Sequence, residues 1–146
     1  MSFLGSLDIS GSALTAGRVR MDVISENIAN AQTTRTEDGG PYRRKMVTYE
    51  SAGTPSSFRA MVEGKASETD SAGVKVTGIV EDETPFPEEY DPSDPDADER
   101  GYVRRPNVDL MEETVDMMAA ARAYNANLTA LETVKNMAAK ALEMGR

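Results

Sequence analysis

Four large apolar residues recur at intervals of seven near the start of the chain: Leu7, Leu14, Met21 and Ile28. Ile24 and Ala31 follow three residues behind Met21 and Ile28. This is an a/d seam, and it predicts a helix over about 6–31 with the narrow apolar stripe of a coiled coil or helix bundle. Gly11 and Gly17 weaken it, each by roughly 1 kcal/mol against alanine. A second helix is predicted over about 109–144. One of its stripes reads Leu110, Met117, Tyr124, Leu131, Ala138; another reads Ala121, Leu128, Leu142; a third patch holds Val134, Met137, Ala141 and Met144. Asp109 and Glu112 have capping-box spacing, Pro106 lies just upstream, and Gly145 is a natural stop. Alanines between Ala119 and Ala141 keep helix propensity high and let neighbouring helices approach closely. Together these stripes present more apolar surface than one partner helix can cover.

The stretch between the helices is different in kind. Gly39-Gly40-Pro41 signals a turn. Tyr42 to Glu50 reads as a strand, with Tyr42, Met46 and Thr48 on one face and Val47 and Tyr49 on the other; Val74 to Val80 reads as a second, and Ser57 to Val62 as a short third. Residues 81–99 hold ten acidic residues, four prolines and no basic residue. Such a run is predicted to be a solvated, poorly ordered loop. Across the whole chain Leu, Ile, Val and Phe supply only 25 of 146 residues, a composition that favours a chain completing its folding on association.

These features predict a mainly α protein. Long N- and C-terminal helices pack as a coiled-coil-like pair, with a small irregular β-containing insertion between them. The helical part is discontinuous, 1–32 and 107–146, and is read as the polymerisation domain. The insertion covers 33–106 and contains the acidic Pro-rich segment 81–99.

Composition removes several function classes. The net charge is −9, which argues against a nucleic-acid partner, because phosphate binding needs clustered Lys and Arg. The chain has no Cys, His or Trp, so disulfides, thiolate nucleophiles and imidazole chemistry are excluded. No stretch approaches the ~20 apolar residues that span a bilayer, and residues 1–14 lack the basic and apolar regions of a cleaved signal peptide.

Individual polar motifs have competing readings. Asn27 and Asn30 fit a subunit contact near the helix end, where a polar group in an apolar seam fixes register; the alternative is plain solvent exposure at a frayed end. Asp94, Asp96 and Asp98 mimic the start of a calcium loop, but Glu99 stands where Gly is needed and Arg105 where a bidentate Glu is needed. Arg18, Arg20, Arg43, Arg44 and Lys45 read chiefly as a solvated face, with acidic neighbours or lipid headgroups as the other option. Arg104 and Arg105 are placed to pair with the acidic segment of this or an adjacent subunit. Paired carboxylates able to serve a glycosidase lack a rigid framework here.

Several segments carry a family resemblance. Ser12-Ala13-Leu14-Thr15-Ala16, Ser25-Glu26-Asn27-Ile28-Ala29-Asn30-Ala31 and then Thr33 or Thr34 resemble the N-terminal signature of flagellar rod and hook proteins. Gly40-Pro41-Tyr42-Arg43-Arg44-Lys45, Gly101-Tyr102-Val103, Pro106-Asn107-Val108-Asp109, Arg122-Ala123-Tyr124-Asn125-Ala126-Asn127 and Lys140-Ala141-Leu142-Glu143 follow in order. In so short a chain the set resembles the FlgC-type proximal rod proteins of the flagellar basal-body rod family. The likeness covers about 1–50 and 100–146; segment 81–99 matches no pattern.

The resemblance implies a structural subunit, not an enzyme, exported by the flagellar type III apparatus and built into the periplasm-spanning rod that transmits torque to the hook. It implies self-association and contacts with other rod proteins, hook-basal body components and the export apparatus. No cofactor, metal, small-molecule substrate or nucleic acid is expected. The subunit-interface residues it suggests are Leu7, Leu14, Met21, Ile24, Asn27, Ile28, Asn30, Met117, Tyr124, Leu128, Leu131 and Leu142. The seam of α-helical residues is expected to make contacts both within and between chains. Another rod subunit, or a soluble helical export chaperone or binding module, remains open as the alternative.

Overall fold

Asp109 decides where the second long helix begins. Its carboxylate accepts the backbone N–H groups of Met111 at 2.8 Å and Glu112 at 3.2 Å, satisfying two donors that have no partner inside the helix. Glu112 and Glu113 in the first turn complement the helix dipole. The first helix ends at its own polar residues: Asn30 returns its side-chain amide to the carbonyl of Glu26 at 2.9 Å, and Thr33 donates its hydroxyl to Asn30 at 3.2 Å.

The computed structural model describes residues 3–37, 39–52 and 73–144. The chain runs α1 (Phe3–Ala29), β1 (Lys45–Ser51), β2 (Val74–Glu81), β3 (Glu88–Tyr90), β4 (Tyr102–Arg104) and α2 (Leu110–Met144). The helices take 27 and 35 residues, so the fold is mainly α. The strand expected at 57–62 falls outside the described residues.

β1 and β2 form one two-stranded sheet, β3 and β4 another. In the first, the Asp82 N–H donates to the Arg44 carbonyl at 2.8 Å and the Ala52 N–H to the Gly73 carbonyl at 3.1 Å, which is the antiparallel sense. In the second, Glu88 faces Arg104, Glu89 faces Val103 and Tyr90 faces Tyr102. Two of these pairs interact directly across the strands. Glu88 and Arg104 approach to 3.6 Å, and the two tyrosine rings meet edge to face at 5.3 Å.

The acidic stretch 81–99 is not the poorly ordered loop that its composition predicts. It contains the end of β2, all of β3 and a series of turns. The carboxylates themselves organise it. Asp82, Asp91, Asp94 and Asp98 each accept a backbone N–H two residues onward, at 2.9, 3.0, 3.0 and 2.8 Å. Hydrogen bonds from Thr84 and Ser93 hold Asp82 and Asp91 below the usual carboxylate range, and the Tyr102 backbone N–H does the same for Asp98. Arg105 closes the segment from outside, bonding Glu89 at 2.8 Å and lying 3.8 Å from Asp94. Gly101 turns the chain into β4 with φ +83°, and a β-carbon there would sit 3.0 Å from the Tyr90 ring.

The contacts divide the chain into two compact units. One gathers Arg20–Thr48 and Gly78–Ala120; the other gathers Met1–Val19, Tyr49–Thr77 and Ala121–Arg146. In the first, Val23, Ile24, Tyr42, Val103 and Ala120 are buried. In the second, Ala16 is buried, and Gly17 comes close to the Tyr124 ring, where a β-carbon would lie 3.5 Å from it. Gly73 in that unit has φ +74° and sits against α1, where a β-carbon would collide with the Ser12 side chain.

The buried face of α1 is not the seven-residue stripe. Ala16, Val23, Ile24 and Asn27 are buried, while Leu7, Leu14, Met21 and Ile28 are half-buried on a different face of the helix.

Candidate functional site

Of the three most enclosed side chains of the first unit, Val103, Glu113 and Asn27, two are polar. Glu113 and Asn27 are each 1% exposed. Burying such groups is costly unless every polar atom finds a partner, and here each does.

Asn27 comes from the last turns of α1. Its side-chain amide lies along the backbone of Lys45 at the start of β1 and acts as an extra strand would. Nδ2 donates to the Lys45 carbonyl at 2.9 Å, and Oδ1 accepts the Lys45 N–H at 2.9 Å. The remaining capacity is also filled: Oδ1 accepts the Tyr42 hydroxyl at 3.0 Å, and Nδ2 donates to Glu113 Oε2 at 3.1 Å. An amide has two donors and one two-lone-pair acceptor. Among the standard side chains of this size only asparagine matches all four positions.

Glu113 comes from the first turn of α2. Its second oxygen, Oε1, accepts Arg44 Nε at 2.6 Å. Arg44 lies among four carboxylates: beyond Glu113, its guanidinium nitrogens are 3.8 Å from Asp82, 3.7 Å from Glu112 and 3.7 Å from Asp116. Burial pulls the Arg44 pKa down, but the Glu113 hydrogen bond and the surrounding negative charges outweigh it and leave it above its ordinary value. The Arg44 backbone N–H donates to Asn107 Oδ1 at 2.8 Å, and Asn107 Nδ2 donates to the Asp82 carbonyl at 3.1 Å. Arg43 donates to that same carbonyl at 2.8 Å and stacks over the Phe86 ring at 4.4 Å.

The cluster therefore pins four stretches together: the end of α1, the entry to β1, the approach to α2 and its first turn. Chain geometry brings them there. The Tyr42 N–H bonds the Thr33 carbonyl at 3.0 Å, folding the segment after α1 back alongside the helix end. Among the described residues no buried side-chain nitrogen or oxygen lacks a partner. A closed, fully paired network of this kind fixes geometry.

The Tyr42 hydroxyl is the cluster's titratable marker. Burial, with the charges of Glu26, Glu113 and Glu81, pushes its pKa from 10.0 up to about 12. The folded state thus holds this proton more tightly than the unfolded chain. The associated stability is complete below about pH 10 and is lost as pH rises toward 12. A Tyr42→Phe variant should be less stable than the parent at pH 8, because Asn27 loses a donor. The difference should shrink between pH 10 and 12, as read from urea midpoints. A gap that stays constant with pH would exclude this role for the hydroxyl.

Sequence reasoning found part of the site. It singled out Asn27, read either as a polar contact at a subunit boundary or as exposed at a frayed helix end; the side chain is 1% exposed and bonds Tyr42, Lys45 and Glu113. Asn30 caps its own helix. Arg44, read as solvated, has a side chain only 17% exposed. Arg104 and Arg105 do pair with the acidic segment. Glu113 was missed, since nothing in a Glu-Glu pair at a helix start marks one as buried. Of the other residues suggested for subunit contacts, Ile24 is buried; Leu7, Leu14, Met21, Ile28, Met117, Tyr124 and Leu131 are half-buried; Leu128 and Leu142 are exposed.

Comparison with known proteins adds the identity of these segments. Residues 7–35 match the family model described as flagella basal body rod protein, and residues 99–144 match the one described as flagellar basal body rod FlgEFG protein C-terminal. Asn27 lies in the first match, Asn107 and Glu113 in the second, so the buried cluster joins the two matched stretches. The chain is 48% identical to the flagellar basal-body rod protein FlgC of Bacillus subtilis, covering all of both chains. It is 42% identical to FlgC of Borreliella burgdorferi over 97% of each, and 41% identical to FlgC of Escherichia coli over the full length of each. The chain belongs to the flagellar basal-body rod protein family, among its FlgC-type members.

Proposed function

We propose that this structural subunit of the flagellar basal-body rod assembles through its two terminal helices. These helices pair in coiled-coil fashion and pack against other copies and against neighbouring rod and hook-basal body proteins. Segments 1–32 and 107–146 serve as the polymerising part, and 33–106 as an insertion carried on it. The chain reaches the rod through the flagellar type III export apparatus. Its work is mechanical, holding shape under torque, and no catalytic step is assigned to it.

One observation carries this reading. α2 leaves Leu110, Met111, Val115, Met118, Leu128, Met137, Leu142 and Met144 exposed, far more apolar surface on one helix than an isolated soluble chain usually shows. Burial against neighbours would stabilise each by up to ~1.5–3 kcal/mol. The suggested interface residues Leu7, Leu14, Met21, Met117, Tyr124 and Leu131 are half-buried and keep part of their apolar surface for a neighbour.

The test is complementation. Leu14→Asp and Leu131→Asp, expressed in a strain lacking its own copy, should abolish swimming and leave basal bodies without a completed rod. Normal swimming rings from both variants would remove the terminal helices from the assembly.

A further inference from the structure

α2 divides its charge unevenly. Residues 110–120 carry Glu112, Glu113 and Asp116 and no cation, a net charge of −3. Residues 121–144 carry Arg122, Lys135 and Lys140 against Glu132 and Glu143, a net charge of +1.

Each part also bears an apolar patch of the same design. In the first, Met111, Val115 and Met118 are exposed; in the second, Met137, Ala141 and Met144 are exposed. Both sets have the spacing i, i+4, i+7, which lines one face of a helix. The first patch lies on the side of α2 opposite Glu113 and Ala120, the two residues the chain buries there. The pairing is also complementary in size, since Val115 in the middle of one patch would meet the smaller Ala141 in the middle of the other. Methionine side chains on both flanks adapt to such a seam.

We propose that these patches are the two halves of one head-to-tail contact between copies of this chain. Met111, Val115 and Met118 of one copy seat against Met137, Ala141 and Met144 of the next, with the helices parallel. On a helical projection, Glu112 borders the first patch and Lys140 the second. In a parallel pairing both fall on the same side of the seam, where Glu112, 3.7 Å from Arg44 but with a side chain 65% exposed, can share its charge with Lys140. Because the two surfaces differ, the contact is heterologous and each copy keeps a free half for another. It therefore joins copies in a head-to-tail series, a ring or an open filament according to the rotation between them, and not in a closed two-fold dimer. This inference rests on the reading that the chain polymerises and specifies where.

The chain has no cysteine, so the contact can be read by disulfide trapping in the full-length protein. Val115→Cys and Ala141→Cys are made singly and mixed, then oxidised. The mixture should give a cross-linked dimer that neither variant gives alone, and the double variant should give a ladder of longer species. Adding Lys140→Glu to the double variant should remove the ladder, and adding Lys140→Arg instead should leave it. Homodimers of Val115→Cys alone as abundant as those in the mixture, absence of the ladder, or a ladder that survives Lys140→Glu would overturn the proposal. Swimming in complemented cells separates the two levels. A variant that swims without forming the ladder sinks this contact and leaves the rod reading intact, whereas failure of the wild-type gene to complement sinks the rod reading.

Discussion

Glu113→Ala lowers the stability of the folded chain by about 3–5 kcal/mol, the range for breaking a buried ion pair from one side. The substitution leaves Arg44 in place, with a side chain only 17% exposed and its remaining carboxylates at 3.7–3.8 Å. It also takes the second acceptor from Asn27 Nδ2. Those two unpaired donors, and not the lost packing of a glutamate, account for the effect. Glu113→Gln should rescue little, because an amide presents a donor to either Arg44 Nε or Asn27 Nδ2, both of which are donors already. Urea unfolding with an unchanged slope is the measurement. A loss under about 1 kcal/mol would mean that Asp82, Glu112 and Asp116 reorganise around Arg44, and the cluster would not be the constraint described above.

Asn27→Asp changes one group and almost no volume, yet its effect should rival that of Glu113→Ala and depend on pH. The nitrogen at that position faces the Lys45 carbonyl at 2.9 Å and Glu113 Oε2 at 3.1 Å. A carboxylate oxygen placed there meets two acceptors, and two buried like charges cannot share such a site without a proton between them. The folded variant therefore binds a proton that the unfolded chain releases above the ordinary carboxylate range. Stability is retained at low pH and falls as pH rises. The variant should be closest to the parent near pH 4–5 and about 3–5 kcal/mol below it at pH 8. Denaturation series at the two pH values test the sign. An Asn27→Asp protein that is relatively better folded at pH 8 would show that its carboxylate faces Lys45 Nζ or Arg44 instead.

The two helices were legible because they are written locally. The apolar recurrence, Pro106 and the Asp109 cap all act within a few residues of where they sit. The face that α1 buries was harder to read. Leu7, Leu14, Met21 and Ile28 make the more regular stripe, but Ala16, Val23 and Asn27 line the buried face, and a small residue and an amide carry little apolar signal. β3 and β4 are three residues each, too short for a period to show. The acidic segment misled through composition. Ten like charges argue for disorder only if the carboxylates face water, and here several of them bond backbone N–H groups two residues away. The buried cluster was least legible of all. Tyr42, Arg44 and Asn107 each lie in a stretch that resembles the family, yet no local rule says that they meet, or that Glu113 joins them.

The spacing of that cluster along the chain has a bearing on timing. Asn27 and Glu113 are 86 residues apart, so the latch cannot close on the first part of the polypeptide alone. A chain synthesised amino end first holds Asn27, Tyr42 and Arg44 before it holds the glutamate that fastens them. Contacts of such long sequence separation form late and slowly. The place of one glutamate in the sequence thus makes this unit the product of both halves of the chain, rigid only once the second has been made.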